Sequence, residues 1–112
     1  MSDLSTLTAE VRKILAETEA EYAQMPFFIR PMIKRGFAKR TGLDFGGWRI
    51  RLETVKSPDA ALRKSLLALA EHYRGAPERA RKGMGATPEQ LVEIQVRSRK
   101  RAESVTALAL AL

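Results

Sequence analysis

The sequence has no cysteine and only one histidine, His72. Without thiols the chain can form neither disulfide bonds nor thiolate metal sites, and it has no cysteine nucleophile. A metal ion would have to be held by carboxylates beside His72 alone, and no acid stands at a convincing helical spacing from it. We therefore expect no metal and no cofactor, and we predict that His72 is an ordinary histidine on the surface of a helix.

Long hydrophobic runs are also missing. No stretch approaches the roughly 18 consecutive apolar residues that cross a bilayer, and the N-terminus has no basic segment followed by an apolar one. Charged residues make up 29% of the 112 residues and are interspersed with apolar ones, which disfavours a disordered chain. We expect a single domain over residues 1–112, without a transmembrane segment and located in the cytoplasm.

Sequence signatures of catalysis are sparse. There is no Gly-rich phosphate loop, no nucleophile elbow and no set of Ser, His and Asp residues at a familiar spacing. Glu17, Glu19 and Glu21 follow one another at steps of two, so only Glu17 and Glu21 share a helical face. These three glutamates are better interpreted as solvated carboxylates than as a catalytic acid–base pair. We therefore predict that the chain is not an enzyme and is at most an accessory subunit of an enzyme complex.

Four helices are predicted from apolar residues that recur at spacings of three and four. Their predicted starts are a cap at Thr8, Pro31 in a first turn, Pro58 after a cap at Ser57, and a capping box of Thr87 with Gln90. The predicted helices cover about residues 8–25, 31–41, 58–74 and 88 to near the C-terminus. The fold class is thus all-α, a small bundle of about four helices.

Two segments do not follow this pattern. Around Trp48, residues 43–55 alternate between apolar and charged positions after Gly46 and Gly47, so a short strand, an irregular helix and an extended segment all stay open. Residues 75–86, GAPERARKGMGA, contain three glycines and a proline. This composition predicts a flexible basic linker with at most one helical turn.

Positive charge is the clearest signal for function. The chain has 20 Lys and Arg against 13 Asp and Glu, a formal net charge of +7. Such an excess favours acidic partners, such as nucleic acid, an anionic membrane or an acidic protein surface. The cations cluster in three places, namely Arg30, Lys34, Arg35, Lys39 and Arg40, then Arg49 and Arg51, then Arg97, Arg99, Lys100 and Arg101.

These clusters have two readings. Guanidinium and ammonium groups could form a docking surface for phosphates or carboxylates, or they could be solvated and balanced by Glu from neighbouring helices. Aromatic side chains near the first two clusters could serve as apolar anchors or stacking platforms, or could simply lie in the core. The candidate partner-binding residues are Phe27, Phe28, Arg30, Lys34, Arg35, Lys39, Trp48, Arg49 and Arg51.

Residues 25–42 contain a proline followed by two phenylalanines, an isoleucine and an arginine, PFFIR, and then a basic helix. In this pattern they resemble the short helical PCP-reductase domain at the C-terminus of the B subunit of dark-operative protochlorophyllide reductase. The residues that match its opening are Pro26, Phe27, Phe28, Ile29 and Arg30. Those that match its basic continuation and its close are Ile33, Lys34, Arg35, Phe37, Ala38 and Gly42. About one helical turn of the family pattern, normally with a Glu, is missing between Arg35 and Phe37, and the motif lies near the N-terminus.

The resemblance implies a setting in chlorophyll or bacteriochlorophyll synthesis. Small proteins there act as accessory subunits of larger enzymes, as the oxygen-dependent magnesium-protoporphyrin monomethyl ester cyclase of purple bacteria requires. We therefore expect a non-catalytic accessory subunit of a tetrapyrrole-pathway enzyme. The alternative is a small basic nucleic-acid-binding protein, and the apolar end of the last helix, residues 107–112, makes homo-oligomerisation a third expectation.

Overall fold

Six helices, instead of the predicted four, form the part of the chain described by a computed structural model, residues 3–83 and 86–112. The all-α prediction is confirmed, since 79% of the structure is helical and this part contains no strand. The helices are α1 Leu4–Ala23, α2 Arg30–Thr41, α3 Phe45–Arg51, α4 Ala60–Arg74, α5 Ala76–Gly83 and α6 Pro88–Leu110.

Two helices begin at an acidic cap that the sequence reading overlooked. α1 starts one turn before Thr8, because Asp3 accepts a hydrogen bond from the backbone N–H of Thr6 at 2.7 Å. α4 starts after Asp59, whose carboxylate accepts from the N–H of Leu62 at 3.0 Å, and not after Ser57. Thr8 lies inside α1, where its hydroxyl donates to the carbonyl of Leu4 at 2.7 Å.

The predicted boundaries of α2 and the start of α6 are confirmed. Pro31 lies in the first turn of α2, and Gly42 ends that helix with a φ of 88°, a left-handed conformation that glycine adopts without strain. At α6 the hydroxyl of Thr87 accepts from the N–H of Gln90 at 3.2 Å, while the Gln90 side chain accepts from the N–H of Thr87 at 2.9 Å. This is the predicted capping box.

The segment around Trp48 is a short helix, α3, which settles the three alternatives left open by the sequence. Asp44 caps it by accepting from the N–H of Gly47 at 2.6 Å. The apparent alternation was misleading, because Trp48 and Leu52, four residues apart, are both buried, whereas Ile50 is 70% exposed. Burial therefore follows helical spacing and not the period of two that a strand would show.

The predicted flexible linker is largely a helix, α5, which covers residues 76–83 and packs against α4 and α6. Residues 84 and 85 of that linker lie outside the described residues, as do residues 1 and 2. The missed helix has a physical cause. The glycines of this segment predict a linker, but much of the stabilisation of a short helix comes from tertiary packing, which the local sequence does not show.

The core forms where α4 packs along the C-terminal half of α6, with α1, α2 and α3 closing over it. Its fully buried side chains include those of Trp48, Phe37 and Leu66. In the part of the chain that the structure describes, no helix combines the length and the apolar character needed to cross a membrane. The apolar end of α6 contributes Leu108 and Ala109 to this core, and Leu110 is the large side chain there that stays exposed.

Candidate functional site

The two phenylalanines that precede α2 lie on the surface. Phe27 is 78% exposed and Phe28 is 71% exposed, and their rings pack edge to face with centroids 5.9 Å apart. They are held in a turn in which the N–H of Ile29 donates to the carbonyl of Pro26 at 3.1 Å. Large aromatic side chains are uncommon at such exposure unless a partner covers them. The sequence left open whether these aromatic residues lie in the core or on the surface, and a core position does not hold for this pair.

The cations of α2 differ in their surroundings. Lys34, Arg35 and Lys39 are exposed and make no ion pair within residues 3–83 and 86–112. Arg30 is half-buried, and its Nε donates to the carbonyl of Met25 at 2.6 Å, so this side chain fixes the turn between α1 and α2. Five exposed residues of α2 and of the turn before it are together called the α2 face, namely Phe27, Phe28, Lys34, Arg35 and Lys39.

The three candidates of α3 do not join the α2 face. Trp48 is fully buried, and its indole Nε1 donates to the hydroxyl of Thr41 at 3.0 Å, so it is a core residue and not a surface anchor. Arg49 pairs with Glu19 at 2.9 Å, and Arg51 pairs with Asp59 at 2.5 Å. Carboxylates of neighbouring elements thus neutralise both arginines.

Half of the basic cluster of α6 is balanced by carboxylates of α1, which pair with Arg97 and Arg101, whereas Arg99 and Lys100 are exposed and have no ion pair within residues 3–83 and 86–112. Arg101 is 8% exposed and donates to both carboxylate oxygens of Glu21, at 3.0 and 2.6 Å. Its guanidinium group also lies 5.8 Å from the ring centre of Tyr73, a cation–π distance. Glu21 further approaches Arg97 at 4.0 Å. Arg97 and Arg101 thus join α1 to α6 and have a structural role.

His72 is buried at 4% exposure, and its prediction as a surface histidine is wrong. Its Nδ1 accepts from Arg40 Nε at 3.2 Å and faces Arg79 Nη2 at 3.4 Å, while its Nε2 lies 3.4 Å from the hydroxyl of Tyr22. An imidazole nitrogen that faces two guanidinium donors must lack a proton. His72 is therefore neutral, with its hydrogen on Nε2 directed to Tyr22.

Electrostatics agree with a neutral imidazole. Burial, followed by the positive charges of Arg79 and Arg40, lowers the pKa of His72 to about 3. Burial also lowers the pKa of Arg79, and the charge of Arg40 adds to this effect. In the described residues no carboxylate pairs with either arginine. Two like charges thus meet at one nitrogen atom without a counter-ion.

Both arginines line a groove between α2 and α5 with a volume of about 370 Å³. Its walls are mainly apolar, and its lining residues are Tyr22, Met25, Met32, Ile33, Gly36, Arg40, Ala76, Arg79, Ala80, Gly83, Ile94 and Arg97. We call it the α2–α5 groove. Sequence reasoning missed it because α5 was read as a linker, although residues 76, 79, 80 and 83 have the spacing of one helical face.

The fold and these surfaces define a small basic all-α protein with an exposed aromatic pair, three exposed cations on α2 and an apolar groove flanked by arginines. Within residues 3–83 and 86–112, no three His, Asp or Glu side chains come together in a way that could hold a metal ion. Comparison of the chain with protein-family models, with curated proteins and with solved structures gave no match.

Proposed function

We propose that this protein is a non-catalytic accessory subunit that docks onto an acidic, partly apolar surface of a larger enzyme. The observation that supports the proposal is the α2 face, which combines two exposed phenylalanines with three exposed cations that make no ion pair within the described residues. Aromatic residues and arginine contribute most often to the binding energy of protein interfaces. Unpaired cations near them would guide an acidic partner into place and set its orientation.

The cellular setting that we propose is tetrapyrrole biosynthesis in the cytoplasm, with bacteriochlorophyll as the product. Its support is the likeness of residues 25–42 to the PCP-reductase domain. The likeness includes four of the five residues of the α2 face, namely Phe27, Phe28, Lys34 and Arg35. A deletion strain should accumulate a porphyrin intermediate, and unchanged pigments would contradict this setting without touching the docking proposal.

Docking itself is tested by copurification from a nuclease-treated lysate with a tagged chain. The variant Lys34→Glu/Arg35→Glu reverses two charges of the α2 face. It should lose the partner enzyme, because the new carboxylates would repel the acidic surface of the partner. The matched control Arg63→Glu/Lys64→Glu makes the same change of net charge in two exposed residues of α4. Equal retention by both variants, or equal loss, would contradict docking through α2.

A second candidate function is nucleic-acid binding, favoured by the same free cations and by the net charge of +7. Phosphates would then replace carboxylates as the anions, and Phe27 or Phe28 would stack on bases. Binding to single-stranded DNA should weaken steeply with salt, with a slope that reports the number of phosphates contacted. A protein that passes through a heparin or DNA column at low salt does not have this function.

A further inference from the structure

We propose that the α2–α5 groove is a binding site for a small apolar molecule that carries a carboxylate, which Arg40 and Arg79 hold. The site is separate from the α2 face, because none of the five residues of that face lines the groove. The proposal therefore does not depend on the docking of a larger enzyme. It rests on three features of the groove, which are its charge, its glycines and its apolar walls.

No carboxylate in the described part of the chain pairs with Arg40 or Arg79, and Arg79 Nη2 donates instead to the backbone carbonyl of His72 at 2.6 Å. Arg40 Nε and Arg79 Nη2 both lie within hydrogen-bonding distance of His72 Nδ1, so the two guanidinium groups are neighbours. Arg97, at the rim, lies near Glu21, but that carboxylate is already shared with Arg101. A bound anion would offset the repulsion between Arg40 and Arg79. A carboxylate suits them because its two oxygens can accept one hydrogen bond from each guanidinium group.

Two glycines give the guanidinium groups their room. A Cβ atom at position 75 would lie 2.8 Å from Arg79 Nη1, and one at position 36 would lie 3.1 Å from Arg40 Nη1. Real Cβ contacts essentially never fall below 3.0 Å, so a side chain at position 75 would make the flexible end of Arg79 shift from its present place. The φ of Gly75 is −83°, so backbone strain does not explain the glycine here. What the glycine provides at this position is space for the guanidinium group of Arg79.

The apolar walls define the rest of the ligand. Met25, Met32, Ile33 and Ile94 line the groove, and Met32 is 64% exposed although it is a large apolar side chain. Methionine side chains adapt to ligands of different shape. The volume of about 370 Å³ lies in the range of about 300–1,000 Å³ found for small-molecule sites. An apolar body against these side chains and a carboxylate at the arginines would use both parts of the groove.

Octanoate is a suitable probe, and isothermal titration of the full chain with it, well below micelle-forming concentrations, tests the site. We expect saturable binding of octanoate and at least about tenfold weaker binding of octanol, because the charge-assisted hydrogen bonds are worth about 1.4 kcal/mol or more. Arg40→Ala and Arg79→Ala should each show a similar loss. The control Arg74→Ala removes an exposed arginine that pairs with Glu71 and should bind octanoate like the wild type.

A glycine variant keeps the test valid if an arginine variant fails to fold. Gly75→Ala should displace the flexible end of Arg79 while the helices stay intact, and octanoate should bind more weakly. Gly46→Ala in α3, where an added Cβ meets only the Asp44 carboxylate at 3.6 Å, is the matched control. Absence of octanoate binding, equal binding of octanol, or unchanged affinity in folded Arg79→Ala and Gly75→Ala would each overturn the proposal.

Discussion

At the scale of single residues, His72 links the stability of the fold to pH. The pKa of His72 is about 3 in the folded chain, well below its ordinary value of 6.5. Between these two values the unfolded chain binds more protons at this residue than the folded chain does. The contribution of His72 to the free energy of unfolding is therefore fully present above about pH 6.5, and it is lost progressively as the pH drops toward 3. Tyr22, Arg40 and Arg79 are the polar groups that surround the imidazole.

We predict that His72→Gln flattens this pH dependence. Glutamine keeps a polar side chain in the site but does not titrate, and each unit of pKa shift corresponds to about 1.4 kcal/mol. Urea unfolding at pH 7.5, 6.0 and 5.0 should show a free energy of unfolding that falls with pH in the wild type and much less in the variant. Carboxylates titrate in both proteins, so their contribution cancels in the comparison. Parallel curves would contradict a histidine that is buried and neutral.

Arg101 is the residue whose loss should cost the most among the cations of α6. Arg101→Ala removes two hydrogen bonds to Glu21, and charge-assisted bonds of this kind contribute about 1.5–3 kcal/mol. Because Glu21 keeps partial access to water, we expect the free energy of unfolding to fall by about 2 kcal/mol. The exposed neighbour Arg99→Ala should change it by less than about 0.5 kcal/mol. Similar values for both variants in urea unfolding would argue against this assignment.

At the scale of helices, the sequence predicted best where a boundary depends on adjacent residues. Pro31, Gly42 and the Thr87–Gln90 capping box fix their helix ends through local geometry and local hydrogen bonds. Asp3 and Asp59 were overlooked as caps because Thr8 and Ser57 carry the same signal a few residues later. Helix α5 does carry sequence signals, with Glu78 in its first turn and Arg81 and Lys82 in its last, but its glycines favour a linker, and its packing against α4 and α6 is not visible in the sequence.

The capping box of α6 gives a prediction at this scale. Thr87→Ala removes the side-chain oxygen that accepts from the Gln90 N–H and should lower the free energy of unfolding by about 0.5–2 kcal/mol. Thr87→Ser keeps the hydroxyl and should stay close to the wild type. Thermal unfolding followed by circular dichroism measures both. An equal loss in the two variants would show that the methyl group of Thr87, and not its cap, matters.

At the scale of the whole molecule, the distribution of 13 acids among 20 basic residues determines the exposed charge. Glu21 and Arg101 are 80 residues apart in the sequence, so no local pattern could show that they pair. The same holds for Glu19 with Arg49, 30 residues apart. The basic clusters are visible in the sequence, but only the fold shows that Arg49, Arg51, Arg97 and Arg101 pair with carboxylates, whereas Lys34, Arg35 and Lys39 make no ion pair within the described residues.

The candidate site was predictable from the sequence only in part. Phe27, Phe28, Lys34, Arg35 and Lys39 were named from the sequence, and the structure keeps all five on the surface. Trp48 was misplaced because a lone aromatic residue next to arginines looks the same in sequence whether it is buried or exposed. The groove with Arg40 and Arg79 was invisible, because it joins residues from helices that are distant in the chain.

The most direct test of the central claim, that the α2 face binds an acidic partner, is photo-crosslinking in cells. A benzophenone amino acid at position 28 replaces a side chain that is 71% exposed on this face, and one at position 67 replaces Leu67, which is 41% exposed on α4. The account predicts that position 28 crosslinks to an acidic subunit of an enzyme, identified by mass spectrometry, and that position 67 does not. Crosslinks of equal yield at both positions, or none at position 28, would contradict it.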